Sequence, residues 1–238
     1  MNLTHASELI YDAVLTLAYP QVCVICGRSV EQRRFGVACE TCWSETRICT
    51  DEERICLKCG LPDQERCGRC EELAFTAARA VGSYEGALRE SVLVLKRQPY
   101  LPCHVAGLLT EVVRREPLSR STRVVPVPLH PKRLKTRGFN QASIIGQAVS
   151  KALKLPLDEV SLVRVSTTEK YRAGMDTKGR RDTVAGAFCV THPRLIAGER
   201  ILLVDDVFTT GATISACAEA LMAAGAGNVF VLTVARAR

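Results

Sequence analysis

The chain has 238 residues, and its 47% hydrophobic content is ample for a buried core. No apolar run approaches the roughly 18 residues of a membrane-spanning helix, so we expect no membrane span. The net charge of +7 is uneven, because residues 1–78 hold 8 Lys and Arg against 12 Asp and Glu, whereas the remainder holds 24 against 13. We expect the basic part to face phosphates or nucleic acid, and a merely solvated basic surface is the plainer alternative.

Residues 1–20 combine an apolar stretch with Glu8 and Asp12, and no Lys or Arg precedes that stretch. A signal peptide has a basic start and an uncharged apolar segment, so this pattern indicates an amphipathic helix instead. We therefore expect an N-terminal helix over residues 1–20 and a cytoplasmic protein.

Four CxxC pairs follow between residues 23 and 70, arranged as two successive sets. A CxxC turn directs two thiolates at one point, and two such turns complete the tetrahedral sulfur shell that suits Zn²⁺. Gly27 and Gly60 follow the first pair of each set, where a tight turn needs a permissive backbone. Because all four thiolates of a set are used, we expect two structural zinc ions in a double zinc ribbon over residues 21–75. The predicted ligands are Cys23, Cys26, Cys39 and Cys42, and Cys56, Cys59, Cys67 and Cys70.

Other uses of these cysteines are less well supported. Disulfides are not expected without a secretion signal, and a redox CxxC does not explain four copies. Iron–sulfur ligation stays open, as does pairing of ligands across the two sets. Cys49 falls outside the spacing and is interpreted as a spare thiol. Three further cysteines are expected to pack in the core: Cys103, Cys189 and Cys217.

Strand and helix patterns alternate over the rest of the chain. In order, they predict a strand over 76–84, helices over 86–96 and 104–115, a strand over 123–128, a helix over 141–152, strands over 184–190 and 201–205, a helix over 212–224 and a strand over 228–235. Pro126 and Pro128 confine their strand to a sheet edge. The basic residues before 141 and the charged residues 166–182 are predicted loops. This alternation indicates an α/β domain over 76–238, with a mostly parallel sheet flanked by helices.

Two adjacent acids, Asp205 and Asp206, follow a strand that the apolar run Ile201–Val204 predicts to be buried. They are followed by Thr-Thr-Gly-Ala-Thr at residues 209–213 and then by a predicted helix. The first turn of a helix offers free N–H groups to an anion, and Gly211 permits close approach of a phosphate. The acids offer acceptors to sugar hydroxyls. Together these groups predict a site for a ribose 5-phosphate.

These residues carry a family resemblance. The two four-cysteine sets, the segment VVPVPLHPKRLKTRGFNQA and the loop VDDVFTTGAT together resemble the ComF family of competence-associated, phosphoribosyltransferase-like proteins. The resemblance covers the chain from about residue 20 and implies a type I phosphoribosyltransferase-like domain behind the zinc ribbon. It also implies that phosphoribosyl pyrophosphate (PRPP) binds with Mg²⁺, and that the protein acts in bacterial DNA uptake and natural transformation.

The resemblance assigns residues as well. It implies that Asp205 and Asp206 hold the ribose 2′- and 3′-hydroxyls near the reacting centre, as the candidate catalytic pair. The segment on the pyrophosphate side of the family's site matches His130, Lys132, Arg133 and Arg137. The implied PRPP-binding residues are Asp205, Asp206, Thr209, Thr210, Gly211, Ala212, Thr213, Arg133 and Arg137. The sequence departs from the family pattern at Tyr171–Met175 and at Thr183, although Arg180 still matches a basic residue there. The role of that loop is left open.

Two functions fit these residues. One is a PRPP-dependent phosphoribosyltransferase, whose acceptor the sequence does not name. The other is a PRPP-sensing or single-stranded-DNA-binding competence factor without turnover, since the basic part of the chain suits phosphates. The zinc ribbon is acidic, so we interpret it as a stabilising unit or a docking unit for competence or DNA-processing proteins. Nearby aromatic residues are few, and both Phe139 and Phe208 are interpreted as packing residues rather than as a platform for a nucleobase.

Overall fold

A computed structural model describes residues 19–50, 55–62, 65–165 and 186–237, except the side chain of Arg69. Within these residues the chain forms six strands and six α-helices. The strands are β1 Ala77–Ser83, β2 Arg123–Pro126, β3 Leu162–Arg164, β4 Phe188–Val190, β5 Arg200–Phe208 and β6 Asn228–Arg236. The helices are α1 Glu40–Ser44, α2 Gly86–Leu95, α3 Cys103–Arg114, α4 Pro131–Arg137, α5 Gln141–Leu153 and α6 Ala212–Ala223. None of the helices described is long and apolar enough to cross a membrane.

Four parallel strands form the main sheet, in the order β1–β6–β5–β2. The central strand β5 sends alternate side chains to opposite faces, as a strand covered on both sides must. Leu202 and Val204 pack on one face, and Ile201 and Leu203 pack on the other. The sheet is therefore the middle layer of the molecule, with a hydrophobic cluster on each side.

Helices and the two cysteine sets divide between these faces. Side chains of α2, α3 and α5 join Cys23, Cys39 and Cys42 of the first set in one cluster. Side chains of α6 and of the antiparallel pair β3–β4 join the second set in the other cluster. Each half of the N-terminal region thus packs against a different face of the sheet.

The N-terminal region also covers the outer edge of β1, which would otherwise present unpaired backbone groups. The amide of Cys49 donates to the carbonyl of Val81 at 2.8 Å, and the amide of Ser83 donates to the carbonyl of Arg47 at 3.1 Å. From the second set, the carbonyl of Lys58 accepts from the amide of Ala78 at 2.6 Å. The edge strand is therefore completed by both halves of the cysteine-rich region.

The predicted α/β architecture is confirmed, and the proline-bearing strand β2 lies at a sheet edge as expected. The prediction of a loop before residue 141 is wrong, because residues 131–137 form α4. His130 accepts from the amide of Lys132 at 3.2 Å, Pro131 begins the helix, and Gly138 ends it with a φ of 81°. The short strand β3 was not predicted. The expectations for residues 1–18 and for residues 166–185 lie outside the described residues.

Candidate functional site

The acid pair lies where the main sheet loses a strand. β5 pairs with β2 only as far as Val204, but with β6 as far as Phe208. Asp205 and Asp206 are therefore beyond the end of β2, and both are partly buried. Ligands of open α/β sheets bind outside the carboxyl ends of parallel strands, so the pair occupies the expected place for a ligand site.

A lysine from a different element contacts this pair. Lys96 follows α2 directly, and its Nζ lies 3.2 Å from Oδ2 of Asp206. Lys96 was not among the predicted site residues. It stands 110 positions before Asp206 at the end of an amphipathic helix, and only the packing of α2 on the sheet brings the two together. The acid pair therefore has a cation beside it that sequence analysis missed.

Burial raises the pKa of Asp205 to about 7, and the negative charge of Asp206 adds to the effect. The backbone N–H of Asp206, which donates to Oδ1 of Asp205 at 2.8 Å, and the ammonium group of Lys96 act in the opposite direction. Near neutral pH the pair can therefore gain or lose a proton. Binding of a cationic or hydroxyl-bearing ligand would favour the ionised form.

The Thr-Gly loop leads directly from β5 into α6. Thr209 and Thr210 are exposed, and Gly211 is the N-cap of α6 with a φ of 80°. A side chain at Gly211 would be strained at this φ, and its Cβ would lie 2.8 Å from Cζ of Phe208. The loop thus brings two hydroxyls and the first turn of a helix to the same edge as the acid pair, which suits an anion.

The predicted diphosphate ligands Arg133 and Arg137 lie on α4, which follows the carboxyl end of β2. No residue of α4 is buried; Arg133 is exposed and Arg137 is partly buried. The next helix is fixed more firmly, since Oδ1 of Asn140 accepts from the amide of Ala142 at 3.2 Å and Nδ2 of Asn140 donates to the carbonyl of Val127 at 2.9 Å. The cations of α4 therefore stand on a surface helix anchored at its C-terminal side.

The eight predicted zinc ligands form two separate groups that follow chain order. In each group all four Sγ atoms lie within 4.8 Å of one another. The Sγ distances are 3.7 Å for Cys23–Cys42, 3.6 Å for Cys26–Cys39, 3.6 Å for Cys56–Cys70 and 3.3 Å for Cys59–Cys67. A tetrahedral site with Zn–S bonds of about 2.3 Å has sulfur atoms about 3.8 Å apart. Both groups fit structural zinc, and their ligands do not interleave.

An arginine approaches one sulfur of each set. Arg28 donates from Nε to Sγ of Cys26 at 3.4 Å, and this contact is the main cause that lowers the pKa of Cys26 to about 6. At the second set, Nη2 of Arg236 lies 3.6 Å from Sγ of Cys59. Donors of this kind offset the negative charge that four thiolates bring to a zinc site.

Some of the remaining predictions about single side chains are confirmed, and one is wrong. Phe208 packs edge-on against Phe75, with ring centroids 5.9 Å apart, and is buried as predicted. Cys217 is buried, as predicted, but the prediction for Cys103 is wrong, because its position at the start of α3 leaves it exposed. The positions near Tyr171 and Thr183, where the sequence departs from the family pattern, lie outside the described part of the chain.

Comparison with known proteins finds a matching domain in each half of the chain. A double zinc ribbon domain matches residues 14–73, and a phosphoribosyl transferase domain matches residues 139–238. Competence protein F of Haemophilus influenzae is 31% identical over 196 residues, which cover 76% of this chain and 84% of that protein.

The chain belongs to the competence protein F (ComF) family.

Two further relatives extend this comparison over nearly the whole chain. DNA utilization protein YhgH of Escherichia coli strain K12 is 29% identical over 231 residues, covering 92% of this chain and 99% of that protein. Competence protein ComFC of Streptococcus pneumoniae is 26% identical over 234 residues, covering 98% and 96%. The resemblance drawn from the cysteine sets and the VDDVFTTGAT loop is thus confirmed.

In this ComF chain, two cations that contact the assigned groups could not be predicted from the sequence. Lys96 contacts the acid pair, and Arg236 contacts the second cysteine set. Arg236 is the last residue of β6, and a strand-terminal arginine carries no pattern that would single it out. Both positions follow from packing and not from a local motif.

Proposed function

We propose that this protein binds PRPP together with Mg²⁺ at the carboxyl edge of the main sheet and acts in the cytoplasm in DNA uptake and natural transformation. The proposal is carried by the acid pair Asp205–Asp206, which lies on the stretch of β5 beyond β2, just before the loop that leads to the Gly211-capped α6. The names of the relatives, which include competence proteins and a DNA utilization protein, support the biological part.

The two ends of the site suit the two ends of a ribose 5-phosphate. The hydroxyls of Thr209 and Thr210 and the N–H groups at the start of α6 would bind the 5′-phosphate. Asp205 and Asp206 would accept hydrogen bonds from the 2′- and 3′-hydroxyls, and bonds to a carboxylate are stronger than those between neutral groups. A sugar phosphate would therefore span the distance from the loop to the acid pair.

The diphosphate of PRPP requires positive charge on its side of the ribose. Arg133 and Arg137 on α4 would supply it, and Lys96 would be released from Asp206 as the acid turns to the ribose. Mg²⁺, when bound with PRPP, supplies further positive charge to the diphosphate. If the protein catalyses transfer, these groups stabilise the diphosphate as it departs from the anomeric carbon, and the acid pair stabilises the positive charge on the ribose.

Calorimetry with PRPP and Mg²⁺ tests this site. Asp206→Asn keeps the shape of the side chain but removes its charge, so PRPP affinity should fall about tenfold or more while the melting temperature stays close to that of wild type. Glu159→Gln, an exposed change of the same kind, is the matched control. Equal affinity in wild type and Asp206→Asn would reject the ribose role. Pyrophosphate release from PRPP with candidate bases then separates an enzyme from a protein that only binds PRPP.

A second function, contact with single-stranded DNA, is favoured by α4. This helix buries no side chain, and Lys132, Arg133 and Lys135 are all exposed on it. A helix that contributes nothing to the core but carries these cations suits the phosphates of a nucleic acid. We propose that α4 provides this contact beside the PRPP site.

A further inference from the structure

One arginine connects the second cysteine set to the loop that follows the acid pair. The guanidinium carbon of Arg236 lies 4.4 Å from the centre of the Phe208 ring. Its Nη1 donates to the carbonyl of Cys59, and its Nη2 lies 3.6 Å from Sγ of the same residue. The planar guanidinium thus contacts both a zinc ligand and a buried aromatic ring, and its fixed fork of five donors suits this double contact better than a lysine ammonium does.

The aromatic ring in turn supports the turn at Gly211. A Cβ placed on Gly211 would lie 2.8 Å from Cζ of Phe208 and 3.1 Å from Cδ1 of Leu73, so the loop rests closely on both side chains. Leu73 follows the last ligand of the second set by three residues. The next residue, Ala74, also contacts α6, because its amide donates to Oγ of Ser215 at 3.0 Å.

Among the residues that the structure describes, no comparable set of contacts joins the first cysteine set to this loop. Its arginine, Arg28, donates to Sγ of Cys26, and the set packs in the cluster on the opposite face of the sheet. Phe208, Leu73 and the second set share one cluster. The described part of the chain therefore contains two similar arginine–thiolate contacts, of which the one at Arg236 adjoins the phosphate loop.

We propose that Arg236 is a positioning residue that couples zinc at the second cysteine set to phosphate binding by the 209–213 loop. The inference rests on the proposed PRPP site. Zinc with four thiolates carries a net negative charge, which holds the guanidinium in place, and the guanidinium holds the Phe208 ring beneath Gly211. Loss of either contact frees the ring and leaves the loop less well ordered for the phosphate. Zinc loading and PRPP binding then favour each other.

The test measures two affinities in the full-length, zinc-loaded protein. Zinc affinity is measured by competition with a zinc-selective chelator that leaves Mg²⁺ bound, with and without saturating PRPP. PRPP affinity is measured by calorimetry. In wild type, PRPP should raise the zinc affinity of the second cysteine set. By reciprocity, loss of that zinc should lower PRPP affinity by the same factor.

Arg236→Met keeps the unbranched stem of the side chain but removes the guanidinium and its charge. The variant should lower zinc affinity at the second cysteine set about tenfold and PRPP affinity about tenfold. It should also abolish the coupling between the two affinities. Arg28→Met, the matched control, should lower zinc affinity at the first cysteine set and leave PRPP affinity unchanged. Arg236→Lys retains charge beside Cys59 and should restore zinc affinity more fully than PRPP affinity, a split that a general loss of stability would not produce.

The outcomes separate the two proposals. Wild type that does not bind PRPP rejects the PRPP site, and the coupling with it. Wild type that binds PRPP, with Arg236→Met at the same affinity, or with Arg28→Met as damaging as Arg236→Met, rejects the coupling alone.

Discussion

Nζ of Lys96 and Oδ2 of Asp206 lie 3.2 Å apart, and they join the end of α2 to the open stretch of β5. The positive charge of the lysine partly offsets the charge of two acids that are adjacent and partly buried. It also lowers the pKa of Asp205, which burial and the charge of Asp206 raise. The protonation of the candidate site therefore depends on a residue that belongs to no phosphoribosyltransferase motif of this sequence.

Removal of this lysine should move the pH dependence of PRPP binding. In Lys96→Met the acid pair loses its adjacent cation, so the pKa of Asp205 rises further and a higher pH is needed to ionise it. Calorimetry from pH 6 to 9 should show the midpoint of PRPP affinity at higher pH than in wild type. Lys151→Met, which removes an exposed lysine of α5, should leave the midpoint in place. Identical midpoints in Lys96→Met and wild type would show that the contact does not govern the acids.

Wild-type PRPP affinity should itself rise as pH increases through about 7, because Asp205 binds the ligand as a carboxylate. Binding below that pH must release a proton. Calorimetry in two buffers of different ionisation enthalpy will detect this release at pH 6.5 and a smaller one at pH 8.5. A proton count of zero at both pH values would contradict the raised pKa of Asp205.

Asp205→Asn should make the protein more stable at high pH while it weakens PRPP binding. The folded pKa of about 7 exceeds the usual value of 3.8, so the native protein binds more protons than the unfolded chain between these values. Wild-type stability is therefore lost as pH rises from about 4 through about 7, and the asparagine variant avoids this loss. We expect its melting temperature to match wild type at pH 4 and to exceed it by roughly 10 °C at pH 8, because a gap of about 3 pKa units corresponds to about 4 kcal/mol. Equal melting temperatures at pH 8 would show that the ionised carboxylate of Asp205 does not destabilise the fold.

Two changes on α4 should separate its proposed roles. Arg137→Ala should weaken PRPP about tenfold, because it removes a charge-assisted contact at the anchored end of the helix. Lys132→Ala combined with Lys135→Ala should spare PRPP and reduce the salt dependence of single-stranded DNA binding by about 1.4 in log–log slope, as two lost phosphate contacts predict. Arg114→Ala with Lys151→Ala, two exposed cations of α3 and α5, is the control. An unchanged salt slope in the double lysine variant would exclude α4 from DNA contact.

Elemental analysis should find two zinc ions per chain in wild type and one in Cys56→Ser. The loss should also disturb the sheet, because the amide of Ala78 in β1 donates to the carbonyl of Lys58 between two ligands of the second set. Hydrogen exchange should show reduced protection at Ala78, whereas Cys103→Ser, at an exposed cysteine, should change neither zinc content nor exchange. Two retained zinc ions in Cys56→Ser would contradict the ligand assignment.

The sequence by itself determined the parts of this protein that depend on local pattern. The CxxC spacing predicted the ligand groups, the alternation of apolar segments predicted a parallel sheet, and Thr-Thr-Gly-Ala-Thr at residues 209–213 predicted the turn from β5 into α6. Each signal is confined to a few neighbouring residues, and its chemistry does not depend on distant partners. The failure at α4 has the same origin, because a helix that buries nothing has no apolar stripe to reveal it.

Only the tertiary structure decided which distant residues meet. It placed Lys96 against Asp206, Arg236 between Cys59 and Phe208, and the two cysteine sets on opposite faces of the sheet. It also joined the cysteine-rich region to the sheet, through backbone hydrogen bonds to β1. Contacts of this kind join residues far apart in the chain, and they arise from the packing of whole elements. No local pattern encodes them.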